Sequence, residues 1–205
     1  MDSQQEYQPY TRFSLFPPAI KHLLIINLVC FVAFQYTFLG PFMYKYLMLW
    51  PINSGHFYPW QLVTYIFLHA NWMHIFFNMF ALWLFGQGIE NLWGTKRFTI
   101  FFFITGIGAA ITQLIVGGGE PVIGASGAIF GILLAFGMMF PDQYIILLFP
   151  PIPIKAKYFV IIYGAIELVS GVGNFNVGIA HFAHLGGMLF GYIMIRYWRY
   201  RGVLY

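Results

Sequence analysis

Gly124-Ala125-Ser126-Gly127-Ala128-Ile129-Phe130-Gly131 opens an apolar run that continues through Ile132, Leu133, Leu134, Ala135 and Phe136 to Phe140. A serine between glycines can come close to another backbone, because no Cβ stands in the way at Gly124 or Gly127. If a helix starts at Ser126, its unpaired N–H groups and positive dipole end lie beside the hydroxyl. An attacked carbonyl can shed charge onto oxygen in that environment. The plainer reading is a small-residue contact between membrane helices. The choice between them depends on partners elsewhere in the chain.

The 205 residues are 60% hydrophobic, 21% aromatic and 8% charged, with mean hydropathy +0.74. A soluble domain carries about 25% charged residues. So apolar a chain is solvated by lipid, and its length suits one domain of about six spans. The net charge of +4 does not point to nucleic acid, because the 10 Lys and Arg are thinly spread. One cysteine, Cys30, excludes a disulfide framework and a thiol metal cluster. Residues 1–18 show neither an h-region nor a small-residue cleavage site, so no signal peptide is expected.

Hydropathy and the Gly and Pro positions predict spans over residues 20–39, 64–91, 98–116, 126–140, 157–172 and 178–197. The expected domains are a short cytoplasmic tail (1–18), a six-helix membrane domain (19–200) and a cytoplasmic end (201–205). Residues 40–60 form a loop too apolar for water, read as partly embedded at the interface. The fourth span has 15 residues, or about 22 Å of helix, against a hydrocarbon core of about 30 Å. Its serine end therefore lies below the membrane surface, where water reaches it only through a protein-lined cavity.

Charge placement gives the orientation. With a cytoplasmic N-terminus, Arg12, Lys21, Lys96, Arg97, Lys155, Lys157, Arg196, Arg199 and Arg201 fall inside and only Lys45 outside. Both chain ends are then cytoplasmic. Ser126, the group His69, His74 and Asn78, and the pair His181 and His184 come from three spans into one outer layer. Polar residues in spans are costly and face the bundle interior or a water cavity.

His74 and Asn78 stand at i and i+4 on one face and can donate towards a single point. Interhelical hydrogen bonding is the structural alternative. A zinc site is disfavoured, because the four histidines have no acidic companion at suitable spacing and no H-E-x-x-H is present. No metal and no cofactor are expected. Ala183-His184-Leu185-Gly186-Gly187 continues to Gly191, so a histidine shares its helix with a small-residue face, Gly187 and Gly191. That face can pack against the fourth span and bring an imidazole to Ser126. Phe130, one turn after Ser126, is placed to support the ring.

His-x-x-x-Asn, Gly-Ala-Ser-Gly and Ala-His-Leu-Gly-Gly, in this order on spans two, four and six, resemble the rhomboid family of intramembrane serine proteases. The resemblance covers about residues 19–200. It implies an all-α, polytopic six-transmembrane-helix bundle with a Ser–His dyad in a cavity open to the outer face. Ser126 would be the nucleophile and His184 the general base. His74, Asn78 and the Ser126 N–H would form the oxyanion hole, with Gly124, Gly127, Phe130, Gly187 and Gly191 in support. The motif selects His184 over His181 as the base.

The remaining charged groups are read as structural. Glu167 has no evident cationic neighbour and is taken as a neutral, hydrogen-bonded carboxyl, since rhomboid-like sites work as dyads. Glu90 and Arg97 are expected to pair across Gly94. The long first loop lacks a Trp-Arg pair of the kind some family members carry.

The expected function is that of an intramembrane serine endopeptidase cutting transmembrane segments of membrane proteins through an acyl-enzyme. Its partners are transmembrane substrates and the lipid bilayer, with no nucleic acid. The expected location is a bacterial inner (plasma) membrane. Two rivals remain. A catalytically inactive relative would bind transmembrane clients, but such proteins typically lack the serine or histidine retained here. A small transporter would show an internal repeat and a midplane cluster, and the sequence shows neither.

Overall fold

In the computed structural model, which describes residues 13–117, 119–146, 150–173 and 180–204, every expected span contains a long helix. They are α1 (Pro18–Tyr36), α4 (Trp72–Trp93), α5 (Thr95–Val116), α6 (Ser126–Met139), α7 (Ala156–Val172) and α8 (His181–Tyr200). Two shorter helices, α2 (Gly40–Leu47) and α3 (Gln61–Thr64), lie between α1 and α4. Residues 1–12 of the expected tail, Gly118 between the expected third and fourth spans, Gly178 at the expected start of the last span, and Tyr205 lie outside the described residues. By length and hydropathy alone, α1 and α5 qualify as membrane spans, whereas α6 is apolar but only 14 residues long.

Helix α6 is the axis of the fold, packed by α4, α5, α7 and α8. Only Ser126, Leu134, Met138 and Met139 along it keep partial exposure, as befits a helix apolar on every side. Against α8, Gly127 and Gly131 meet Gly187 and Gly191. At Gly187 an added Cβ would run into the Gly127 carbonyl, and at Gly191 it would come within 3.3 Å of the Gly131 Cα. On the other side of α8, Gly186 fits under Thr112 of α5, and Gly108 of α5 accommodates Phe190. Small residues thus replace side-chain interdigitation with backbone approach.

The periphery is apolar and open. Ile25, Val29 and Val32 of α1, with Ile161, Ile162, Ile166 and Val169 of α7, are exposed. Apolar faces of this extent mark a protein bathed in lipid. The buried face of α1 carries Ile20, Leu23, Asn27 and Phe31, spaced at helical intervals.

Three expectations are corrected. The second span does not begin at residue 64. A 3-10 turn, Tyr65–Phe67, gives way to extended backbone at Leu68, and α4 starts only at Trp72, where Asn71 accepts from the His74 N–H at 2.9 Å. An Asn there is a strong helix start that the continuous apolar pattern concealed. His69 consequently lies outside α4.

The first loop, read simply as a loop partly embedded at the interface, also carries regular structure. It contains α2 and a layer of rings, including Tyr58 stacked on Trp60 at 4.6 Å. Glu90, finally, does not pair with Arg97 among the described residues. Its two carboxylate oxygens accept from the N–H groups of Ala19 (2.8 Å) and Ile20 (2.9 Å), and from Thr95 Oγ1 at 2.7 Å. An anion at the first turn of α1 satisfies orphan donors and opposes the helix dipole.

The proline-rich connection from α6 to α7 carries an antiparallel hairpin, β1 (Tyr144–Ile146) and β2 (Pro153–Lys155), with Ile145 opposite Ile154. Asp142 at its base pairs with Lys157 at 2.9 Å and Lys155 at 3.1 Å. The hydrogen bond from Lys157, then that from Lys155, holds the Asp142 carboxyl below the usual carboxylate range, and Asp142 in turn raises Lys155.

Candidate active site

The segment entering α6 is tied on both sides. Leu49 and Val122 exchange backbone hydrogen bonds of 3.0 and 2.9 Å, and the Gly124 N–H donates to the Tyr65 carbonyl at 2.9 Å. Gly124 then turns the chain at φ 121°, a conformation that disfavours any side chain. An added Cβ here would lie 2.8 Å from His74 Nε2, so the missing side chain is also what lets the imidazole approach. The Ile129 N–H bonds back to Ala125 at 3.0 Å. The N–H groups before it belong to the unpaired first turn of α6, beside the half-buried Ser126.

The first two turns of α8 face that point. His184 Nε2 lies 2.8 Å from Ser126 Oγ. Its ring stacks on Phe130 with centroids 4.2 Å apart and planes 8° from parallel. Phe130 in turn meets Tyr163 of α7 at 5.4 Å. The expected contact between Phe130 and the imidazole is therefore present, and its rotation is restricted by a packed aromatic.

His74 is oriented by its own helix entry. The Ala70 N–H approaches Nδ1 at 3.3 Å. An N–H can only donate, so Nδ1 accepts and the neutral ring carries its hydrogen on Nε2, the atom beside Gly124. Asn78 donates one amide hydrogen to the His74 carbonyl at 2.9 Å, leaving a second for another acceptor. His69 is fully buried, its ring 5.0 Å from that of His74.

The sequence reading missed the company kept by Glu167. Far from lacking a basic neighbour, its Oε2 lies 2.6 Å from His181 Nδ1 and 3.0 Å from His184 Nδ1. All three side chains are at most 10% exposed. The contact to His184 is close but off the hydrogen-bond line, so His184 Nδ1 has no hydrogen-bond partner among the described residues. His181 is thus directed at Glu167, and His184 is the histidine at Ser126. The acidic companion comes from another helix, which no local spacing rule detects. The donor atoms of Glu167, His181 and His184 lie within 4.8 Å of one another, close enough to grip a metal ion, although His184 is already engaged with Ser126 through its other nitrogen.

A serine hydroxyl held by an imidazole, beside a helix N-terminus that no described side chain caps, is equipped for nucleophilic attack on a carbonyl. The sequence profile of the Rhomboid domain matches residues 56–201. The chain belongs to the rhomboid family. Rhomboid protein 1, mitochondrial, of Saccharomyces cerevisiae is 29% identical over 198 residues, covering 89% of this chain and 54% of that protein. Rhomboid protease GluP of Bacillus subtilis is 32% identical over 138 residues, 65% of this chain and 25% of that protein. Rhomboid protease GlpG of Photorhabdus laumondii is 25% identical over 179 residues, 86% of this chain and 60% of that protein. The chain spans between 25% and 60% of the length of these curated relatives. Rhomboid membership accounts for the lipid-facing surface, and the chain is an integral membrane protein.

Proposed function

We propose that this rhomboid-family chain is an intramembrane serine endopeptidase that cuts transmembrane segments of other membrane proteins. The observation that carries the reading is the 2.8 Å contact between Ser126 Oγ and His184 Nε2. In this reading Ser126 attacks the scissile carbonyl while His184 Nε2 takes the hydroxyl proton. The Ser126 N–H, His74 Nε2–H and the remaining amide hydrogen of Asn78 receive the developing oxyanion. His184 then protonates the leaving amine, and water, activated by the same imidazole, hydrolyses the acyl-enzyme. The substrate helix unwinds locally first, because its peptide groups are otherwise paired and shielded.

The proposal includes six membrane crossings by α1, α4, α5, α6, α7 and α8, with both chain ends cytoplasmic. The nine-to-one distribution of Lys and Arg supports it. Its domains remain 1–18, 19–200 and 201–205. The relatives' names include mitochondrial and chloroplastic proteins as well as bacterial species, and so do not support the expected bacterial plasma membrane.

The test is covalent labelling of the detergent-solubilised chain by a fluorophosphonate. Labelling is expected in the wild type and in His181→Ala, and absent from Ser126→Ala and His184→Ala. A folded wild type that takes no label would reject the reading in favour of an inactive rhomboid binding transmembrane clients.

A further inference from the structure

Neither a Ser–His dyad nor helix packing requires a carboxyl group where Glu167 stands. An ionisable side chain in a membrane protein's interior is costly and by default has a job. Helix α7 places Gly164, Glu167 and Gly171 at i, i+3 and i+7, hence on one face. An added Cβ would come within 3.1 Å of Met188 at Gly164 and within 3.2 Å of the His181 Cβ at Gly171. The two glycines therefore let α7 close onto α8 on either side of Glu167. The closure delivers Oε2 to both imidazoles of α8.

We propose that Glu167 is a positioning residue that extends the Ser126–His184 pair into a Glu–His–Ser chain, with His181 anchoring the carboxylate. The inference rests on the serine-protease reading above. For Nε2 of a neutral His184 to accept the Ser126 proton, the ring hydrogen has to sit on Nδ1. Glu167 Oε2, 3.0 Å away, is the acceptor at hand for that hydrogen, and among the described residues no hydrogen-bond partner already occupies Nδ1. When Ser126 attacks, Nε2 gains the hydroxyl proton and the ring carries N–H at both nitrogens. Oε2 then accepts from Nδ1–H while the proton stays on the ring. The 2.6 Å contact with His181 keeps the carboxylate in place before and after the step.

If Glu167 served only to fasten α8 through His181, its distance from His184 would not matter to the chemistry. Kinetics of fluorophosphonate labelling separate the two. In that reaction the Ser126 Oγ–P bond forms, the P–F bond breaks, fluoride leaves, and the hydroxyl proton passes to His184 Nε2. The full chain in detergent is treated with excess probe, and the maximal labelling rate (kinact) and half-saturating concentration (KI) are measured beside the thermal midpoint.

Glu167→Gln is expected to lower kinact about a hundredfold, in the range of acid–base contributions, with KI and the thermal midpoint little changed. Glu167→Asp is expected to restore part of the rate. A kinact for Glu167→Gln within about threefold of wild type, small against that range, would overturn the positioning role and leave the protease reading intact. An unlabelled, folded wild type would overturn both. If Glu167→Gln fails to fold, wild-type chain carrying 15N-histidine decides the matter, with His184 assigned by comparison with His184→Ala. A strongly deshielded Nδ1 proton on His184 is expected, and a hydrogen on Nε2 instead would overturn the proposal.

Discussion

Gly187 of α8 lies so close to the carbonyl of Gly127 of α6 that no Cβ fits between them. The obstacle is backbone, which cannot rotate aside. Gly187→Ala is therefore expected to force α6 and α8 apart and to destabilise the fold by about 3 kcal/mol, the upper end for overpacking. The same displacement would separate Ser126 from His184. A lowered thermal midpoint together with lost fluorophosphonate labelling checks this, and an unchanged midpoint would contradict it.

Gly124→Ala acts differently, since its Cβ would press on the Nε2 of His74 rather than on a helix interface. Rate is expected to fall about a hundredfold or more, comparable to losing one oxyanion donor. The positive φ adds about 1 kcal/mol of backbone strain. Labelling kinetics combined with thermal unfolding would distinguish this pattern from that of Gly187→Ala.

His74→Ala and Asn78→Ala are each expected to reduce the maximal rate by about a hundred- to a thousandfold, as for a single oxyanion donor. Substrate affinity should hardly change, because the contact strengthens only as charge develops. The comparison of kcat with KM on a transmembrane substrate is the check. A change confined to KM would assign these residues to binding.

Glu90→Ala leaves the buried N–H groups of Ala19 and Ile20 without their acceptors. The expected loss is about 3 kcal/mol, from two orphaned donors. Labelling by fluorophosphonate at a temperature where the variant is folded should match wild type, because Glu90 lies in the last turn of α4, about 24 Å along the helix from His74 in its first. Faster hydrogen exchange in α1 is the specific signature.

The Asp142 cluster gives the hairpin a pH dependence. A folded carboxyl held below its unfolded range contributes stability above the unfolded pKa, about 3.9, and that contribution is lost as pH falls through the lower folded value. Lys155, raised in the folded state, contributes below its unfolded pKa of about 10.4 and loses that contribution as pH rises through the higher folded value. Proteolysis of the hairpin should therefore accelerate at both extremes. Asp142→Asn should abolish both trends.

Much of the helical layout was legible because hydropathy runs and Gly–Pro punctuation coincide, as at Pro17-Pro18 before α1 and Ser126 at the start of α6. The second span was not, because apolar residues 64–68 continue smoothly into α4 and only the capping of Asn71 breaks them. At the candidate site, Ser126, His184 and Phe130 were foreseeable from motif and helical spacing. Glu167 was not, because its relation to His181 and His184 exists only once α7 docks on α8. The glycines flanking it on α7 were the available signal. Glu90 misled for the opposite reason: a nearby Arg97 in sequence suggested a pair, whereas two backbone donors of α1 took the carboxylate.

The glycine contacts between α6 and α8 make the spacing of the proposed nucleophile and base a property of the main chain. Side chains facing lipid can drift through evolution without altering it, provided they stay apolar. A bilayer that thins or thickens can tilt the two helices as one body, and the distance between hydroxyl and imidazole travels with them. The chemistry is thereby insulated from the variable solvent in which the protein lives.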